Sequence, residues 1–174
     1  LDALCPGDPG SWKVVANLPY YLTGPLVARL LTLGTLGGRP PGRFGRLVVM
    51  VQEEVAARLV AAPGSAAYGA FTVLVQYHAT ADVVARVSPT CFYPPPEVVS
   101  AVVRLEARRE PPVEAEPGAL FAVVRAAFAQ RRKSLRNALS SGLGLAPREV
   151  EQALVAAGVA PGRRGETLSL AEFG

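Results

Sequence analysis

The chain alternates between short, wholly apolar runs and longer stretches in which apolar positions recur every three or four residues. That alternation predicts strands and helices in turn. Lys13-Val14-Val15-Ala16-Asn17 is an apolar run closed by a polar residue and then by Leu18-Pro19-Tyr20-Tyr21, the pattern of a buried strand leaving a sheet. Pro25 follows as an early helical residue, ahead of a stripe of Leu26, Val27, Leu30, Leu31 and Leu33. Gly34 to Gly45, rich in Gly, Pro and Arg, reads as a loop. Leu47 to Val51 predicts a second buried strand, and Glu53 to Val60 a helix whose two leading acids complement the dipole of its first turn. After a loop over residues 63–69, Ala70 to Ala79 reads as a helix and Ala81 to Val87 as a strand.

Cys91-Phe92-Tyr93-Pro94-Pro95-Pro96 predicts a stiff extended segment, because each proline fixes its own φ and disfavours helix in the residue before it. Val98 to Leu105 alternates as a strand. The order of elements matches the second half of a doubly wound α/β sheet, with antiparallel strands near its end. Residues 107–117 turn abruptly to charge and proline, the composition of a linker. Beyond them Leu120, Val123, Val124, Ala127 and Phe128 form a helical stripe that restarts at Leu135, Ala138 and Leu139, and Pro147 to Ala157 forms a further helix ended by Gly158. The expected organisation is a partial α/β catalytic domain over residues 1–106, a linker over 107–117 and a small all-α domain over 118–174.

Composition narrows the classes. With 174 residues, half of them hydrophobic and 18% charged, the chain has enough apolar material for a core and too little charge for disorder. No run approaches the roughly 20 apolar residues of a membrane span and no secretory signal opens the sequence, so a soluble, cytoplasmic protein without membrane contact is expected. Cys5, Cys91 and the single His78 have neither disulfide-framework nor metal-ligand spacing. The formal charge is +4, and all basic residues but Lys13 and Lys133 are Arg. Such a bias fits phosphate recognition by planar guanidinium groups or a genome that favours Arg codons.

Candidate chemistry concentrates at Asn17-Leu18-Pro19-Tyr20, at the C-terminal end of a strand, where open α/β sheets hold ligands. An exocyclic amine on a purine is a poor nucleophile, because its lone pair is delocalised into the ring. The Asn17 amide oxygen and the Leu18 carbonyl are suited to accept both amino hydrogens and turn the lone pair toward an electrophilic methyl. Pro19 stiffens the turn and Tyr20 offers a face for stacking. A second cluster, Arg131-Arg132-Lys133 with Arg136, marks the break between two helical stripes and suits several phosphate contacts, although short charge runs also serve as solvated helix faces. Glu53-Glu54 reads as a favourable first turn, His78 as a packed core or surface histidine rather than a ligand, and Arg163-Arg164 as a weaker second basic patch.

Taken together, Asn17-Leu18-Pro19-Tyr20, the stretch from Gln52 to Arg58, that from Pro63 to Gly69, Phe92-Tyr93-Pro94-Pro95-Pro96-Glu97-Val98-Val99-Ser100, and Phe128 to Asn137 resemble the ribosomal RNA adenine N6-dimethyltransferases, in particular the bacterial small-subunit type. Arg164-Gly165-Glu166-Thr167-Leu168-Ser169 continues the likeness. The resemblance implies a Rossmann-like fold, S-adenosyl-L-methionine as methyl donor, and small-subunit ribosomal RNA, within an immature small ribosomal subunit, as partner; a monomer is the default expectation. It implies that Asn17, Leu18, Pro19 and Tyr20 hold the adenine, with Asn17 also near the donor, and that Phe92 packs on the flipped base opposite Tyr20. Asp2 resembles the acid that bonds the donor's adenine amino group, and Arg131, Arg132, Lys133 and Arg136 would meet RNA.

No glycine-rich turn between a strand and a helix is found in the sequence. The chain is therefore expected to be the C-terminal portion of such a methyltransferase, incomplete as a catalyst. Two other readings stay open: a non-catalytic ribosome-biogenesis protein that binds RNA, and a large-subunit adenine methyltransferase of the macrolide-resistance type.

Overall fold

A computed structural model describes Asp8 and residues 10–174. The apolar runs become four strands: β1 (Trp12–Asn17), β2 (Phe44–Gln52), β3 (Ala79–Val87) and β4 (Ser100–Ala107), in the sheet order β1-β2-β4-β3. β1 and β2 are parallel, joined through helix α1 (Thr23–Thr32), whereas β4 is antiparallel to both β2 and β3. Helices α2 (Glu53–Leu59) and α3 (Ala70–His78) connect β2 to β3. The expected mixed sheet is thus present, and α3 passes into β3 at Ala79 with no intervening loop.

Strand periodicity decides which residues face the helices. Register sets Val14 beside Leu47 and Ala16 beside Val49, then Leu47 beside Leu105, Val49 beside Val103 and Val51 beside Ala101. This face packs on Val27 and Leu31 of α1, Ala56 and Leu59 of α2 and Val75 of α3. On the other face Val15 is 83% exposed, while Val48, Met50 and Val102 are half-buried. Among the described residues, helices cover one side of the sheet only.

The C-terminal third is helical: α4 (Pro117–Ala129), α5 (Leu135–Leu143), α6 (Pro147–Ala156) and the short α7 (Leu170–Phe173), the last not anticipated from periodicity because it holds only a single turn. Glu116 caps α4 by accepting from the N–H groups of Gly118 and Ala119, with Pro117 at the first helical position. Tyr68, Val73 and Tyr77 share a core with Leu120, Val124, Leu135, Leu154 and Phe173, so α3 contributes one face to the sheet and another to the helical third. The Tyr68 hydroxyl donates to the Leu168 carbonyl at 2.8 Å across this junction. The stretch read as a linker is tied down: the Arg108 N–H donates to the His78 carbonyl, Arg108 Nε donates to that of Gln76, and Val113 packs against the shared core.

Close approach of α4 and α5 depends on Gly142, where an added Cβ would lie 2.6 Å from Ala126 Cβ and 2.9 Å from its Cα. Gly142→Val is therefore expected to destabilise the fold by about 1–3 kcal/mol, as overpacked cores do. A lowered urea midpoint at unchanged slope would bear this out; an unaltered midpoint would show that the helices separate freely.

Candidate active site

At one edge of the sheet the C-terminal ends of β1, β2 and β3 meet the start of β4, since Asn17 lies beside Met50 and Ser100 lies beside both Gln52 and Val87. Two segments leave this edge and face each other: the turn after β1 and the connection from β3 to β4. Together Asn17, Leu18, Pro19 and Tyr20 from the first, and Phe92, Tyr93, Pro94 and Pro96 from the second, line a cleft of about 410 Å³. The two motifs singled out in the sequence, 75 residues apart from Asn17 to Phe92, thus share one cavity.

Local bonding fixes the first wall. Buried Leu18 anchors the turn in the core, and its N–H donates to the Met50 carbonyl at 3.2 Å. The Pro19 carbonyl accepts from the Leu22 N–H and from the buried Thr23 hydroxyl, closing a 3-10 turn over Tyr20–Leu22 that leads into α1. Asn17 is exposed, and no protein donor or acceptor among the described residues occupies its side-chain amide. Tyr20 is half-buried, and its hydroxyl bonds the Ser100 hydroxyl at 2.7 Å. Ser100 is fully buried at the start of β4, so it sets the orientation of the Tyr20 ring. Sequence reasoning quoted Ser100 only as the last residue of a motif; its partner lies 80 positions away, and no local pattern announces the contact.

The opposing wall begins differently from its sequence reading. Pro89–Cys91 forms a 3-10 turn, capped by the Ser88 side chain accepting from the Thr90 N–H, so Cys91 belongs to the turn and extension starts at Phe92. The following prolines delay β4 until Ser100, two residues later than alternation alone placed it. Phe92 is half-buried in the cleft, whereas Tyr93 stands fully exposed at its rim. No lining residue carries a formal charge at neutral pH. Nearby Glu53 is bound to Arg86 at 2.7 Å, and Glu54 pairs with Arg58 one turn along α2, which agrees with the reading of these acids as a helix start.

Arg131, Arg132 and Lys133 lie in the turn between α4 and α5, as their position between two stripes implied, and Arg136 lies in the first turn of α5. Arg131 is engaged there by Glu166 at 3.5 Å and by the Ala66 carbonyl, and Arg136 by Glu151 at 3.2 Å. Arg132 and Lys133 have no carboxylate partner among the described residues and remain exposed. Arg163 proves to be structural: it pairs with Glu172 and donates to the Thr167 carbonyl at 2.7 Å. The Arg163 side chain, with the Ser169 N–H, holds the Glu172 carboxyl down to about 2. Of the two placements open to it, His78 takes the buried one, stacked on Phe121 and edge-on to Tyr77. Asp2 and Cys5 lie outside the described residues.

With that geometry in place, likeness to other proteins acquires meaning. The profile of the family described as ribosomal RNA adenine dimethylase matches residues 9–173. Ribosomal RNA small subunit methyltransferase A of Geobacillus kaustophilus is 51% identical over 170 residues, covering 95% of this chain and 56% of its own length. The protein of that name from Pelotomaculum thermopropionicum is 53% identical over 164 residues, covering 93% and 53%. A crystal structure of a dimethyladenosine transferase from Plasmodium falciparum aligns with a TM-score of 0.74 at 21% identity, over 96% of this chain and 68% of that one. One of a 23S rRNA methyltransferase aligns at 0.66 and 23% identity, over 98% and 66%. At those identities the structures speak for the fold alone, a methyltransferase sheet followed by helices. The chain spans about half the length of the relatives it matches in sequence. Its match along nearly all of its own length makes it a member of the ribosomal RNA adenine dimethylase family.

Proposed function

We propose that this chain carries the acceptor-binding part of a methyltransferase that transfers methyl groups from S-adenosyl-L-methionine to the N6 amino group of adenines in small-subunit ribosomal RNA. The observation that carries the reading is the uncharged cleft that Asn17, Leu18, Tyr20 and Phe92 line together. A neutral purine suits such a cleft, since no charge has to be stripped of water on entry. Extruding a base from a helix costs a few kcal/mol, and stacking on aromatic side chains returns about 1–3 kcal/mol per base. Tyr20, held by Ser100, and Phe92 provide those faces.

The Asn17 amide oxygen and the Leu18 carbonyl would accept the two amino hydrogens and aim the nitrogen lone pair at the donor. The donor, when bound, would supply an electrophilic methyl carbon on a sulfonium: the N–C bond would form as the C–S bond breaks, with S-adenosylhomocysteine as leaving group and the amino proton passing to water. This is catalysis by orientation and preorganised acceptors, without a covalent intermediate. Asn17 would, by the resemblance to the family, meet both amine and donor. Asp2 is the further candidate on the donor side, by resemblance alone.

Arg132 and Lys133, with Arg131 and Arg136 beside them, would hold RNA phosphates. Converting Arg131, Arg132 and Lys133 to Gln is expected to reduce the dependence of RNA affinity on salt by two to three phosphate contacts, a change in log–log slope of about 1.4–2.7. An unaltered slope would make the cluster a solvated turn.

Incubation of immature small subunits with methyl donor and a chain extended to the length of its relatives tests the proposal, with the RNA digested and its nucleosides weighed. N6,N6-dimethyladenosine from small-subunit RNA is expected. Tight subunit binding with no transfer would favour a ribosome-binding protein without activity, and product confined to large-subunit RNA would favour the macrolide-resistance type.

A further inference from the structure

The sheet end opposite the cleft holds a second concentration of positive charge. Strand register puts Lys13 beside Arg46 and Arg46 beside Glu106, and the chain leaving β4 adds Arg108 and Arg109. With Gly10, Pro41, Gly45 and Ala107 these residues line a cavity of about 510 Å³. Four cations therefore face one carboxylate, in a molecule whose formal charge is only +4. That carboxylate is already claimed: Glu106 accepts from Arg46 at 2.6 Å, with Arg104 at 3.8 Å. Arg108 spends its Nε on the Gln76 carbonyl, which fixes the guanidinium at the cavity wall. Neither Lys13 nor Arg109 has an acidic partner among the described residues.

We propose that this cavity binds backbone phosphates of the same RNA whose adenine enters the cleft, as an anchor separate from the cluster at Arg131 to Lys133. Like charges gathered in a concave site repel one another, and an oxyanion relieves that repulsion while replacing the water it displaces. Arg46 and Arg108 are held in place by Glu106 and by the Gln76 carbonyl, so little side-chain order remains to be imposed on them. Lys13 and Asn17 occupy one strand four residues apart, roughly 13 Å. A few nucleotides of the strand flanking the target base are enough to cover that distance. The anchor would thus fix the approach of the RNA flanking the target base. This inference rests on the RNA reading of the cleft but concerns different residues.

The test measures binding of a small-subunit ribosomal RNA hairpin to the 174-residue chain across a salt series, for the parent, Lys13→Gln with Arg109→Gln, and Arg131→Gln with Arg132→Gln and Lys133→Gln. Losing two phosphate contacts at the cavity is expected to lower the log–log slope by about 1.4–1.8 and to weaken binding about tenfold or more at low salt. Lys13→Arg with Arg109→Lys should restore the slope, and since both residues lack acidic partners, circular dichroism should be the same for every variant. A parental slope in the cavity variant, with a reduced one in the turn variant, would overturn the cavity anchor and leave the RNA reading intact. Parental slopes in both would overturn the two together.

Discussion

In a chain extended to the length of its relatives, Asn17→Ala is expected to slow methyl transfer by a factor on the order of 10²–10³, the cost of removing one preorganised polar contact to the reacting group, while RNA affinity stays within about twofold. The separation follows from the placement of Asn17. It ends β1 at the cleft, its amide is unengaged by protein groups among the described residues, and the basic residues at Arg131 to Lys133 and at Lys13 lie elsewhere. The loss should fall on kcat rather than KM, because the amide acts on the geometry of the attacking nitrogen. Asn17→Asp, which keeps an acceptor oxygen, should retain more activity than Asn17→Ala. A variant whose kcat matches the parent would remove Asn17 from the reaction.

Acid should weaken the fold well before its carboxylates titrate. His78 is 2% exposed among Phe121 and Tyr77, and its Nδ1 has no hydrogen-bond partner; burial lowers its pKa from 6.5 to about 4. Above pH 6.5 the imidazole is neutral in both folded and unfolded chains and contributes no pH dependence. Between 6.5 and about 4 the unfolded chain takes up a proton that the folded one refuses, so stability falls with falling pH by about 3 kcal/mol and levels off below that window. His78→Leu should abolish this slope. The carboxylates act lower: the folded pKa of Glu172 is about 2 against 4.5, so its contribution is present above 4.5 and lost as pH falls toward 2. Urea midpoints at pH 7 and pH 4.5 for parent and variant separate the two, and equal acid losses in both proteins would contradict the assignment.

Much of this architecture was legible because it is local. The apolar run from Leu47 to Val51, the stripe from Leu26 to Leu33 and the glycine after Ala157 each state their structure within a few residues. The cleft was legible at one remove, through two motifs whose chemistry made sense only together. What periodicity could not supply is partnership at distance. Ser100 under Tyr20, Glu166 on Arg131 and Glu172 on Arg163 join residues from different elements, and the last two reduce the free charge that the sequence presents as basic patches. Residues 107–117 carry linker composition, yet Arg108 and Val113 bind them to α3 and the shared core. Lys13, Arg46, Arg108 and Arg109 come from three stretches that only the strand order gathers at one pole.

The entry of adenine into the cleft is tested most directly by following the Asn17 side-chain amide and the Tyr20 and Phe92 rings by nuclear magnetic resonance as a small-subunit RNA hairpin is added. All three should shift with unpaired adenines in the hairpin loop and stay in place when uridines replace them, while Arg132 and Lys133 respond to both. Equal shifts of the cleft residues with either RNA, or shifts confined to the basic turn, would contradict an adenine-binding site built from Asn17 to Tyr20 and Phe92.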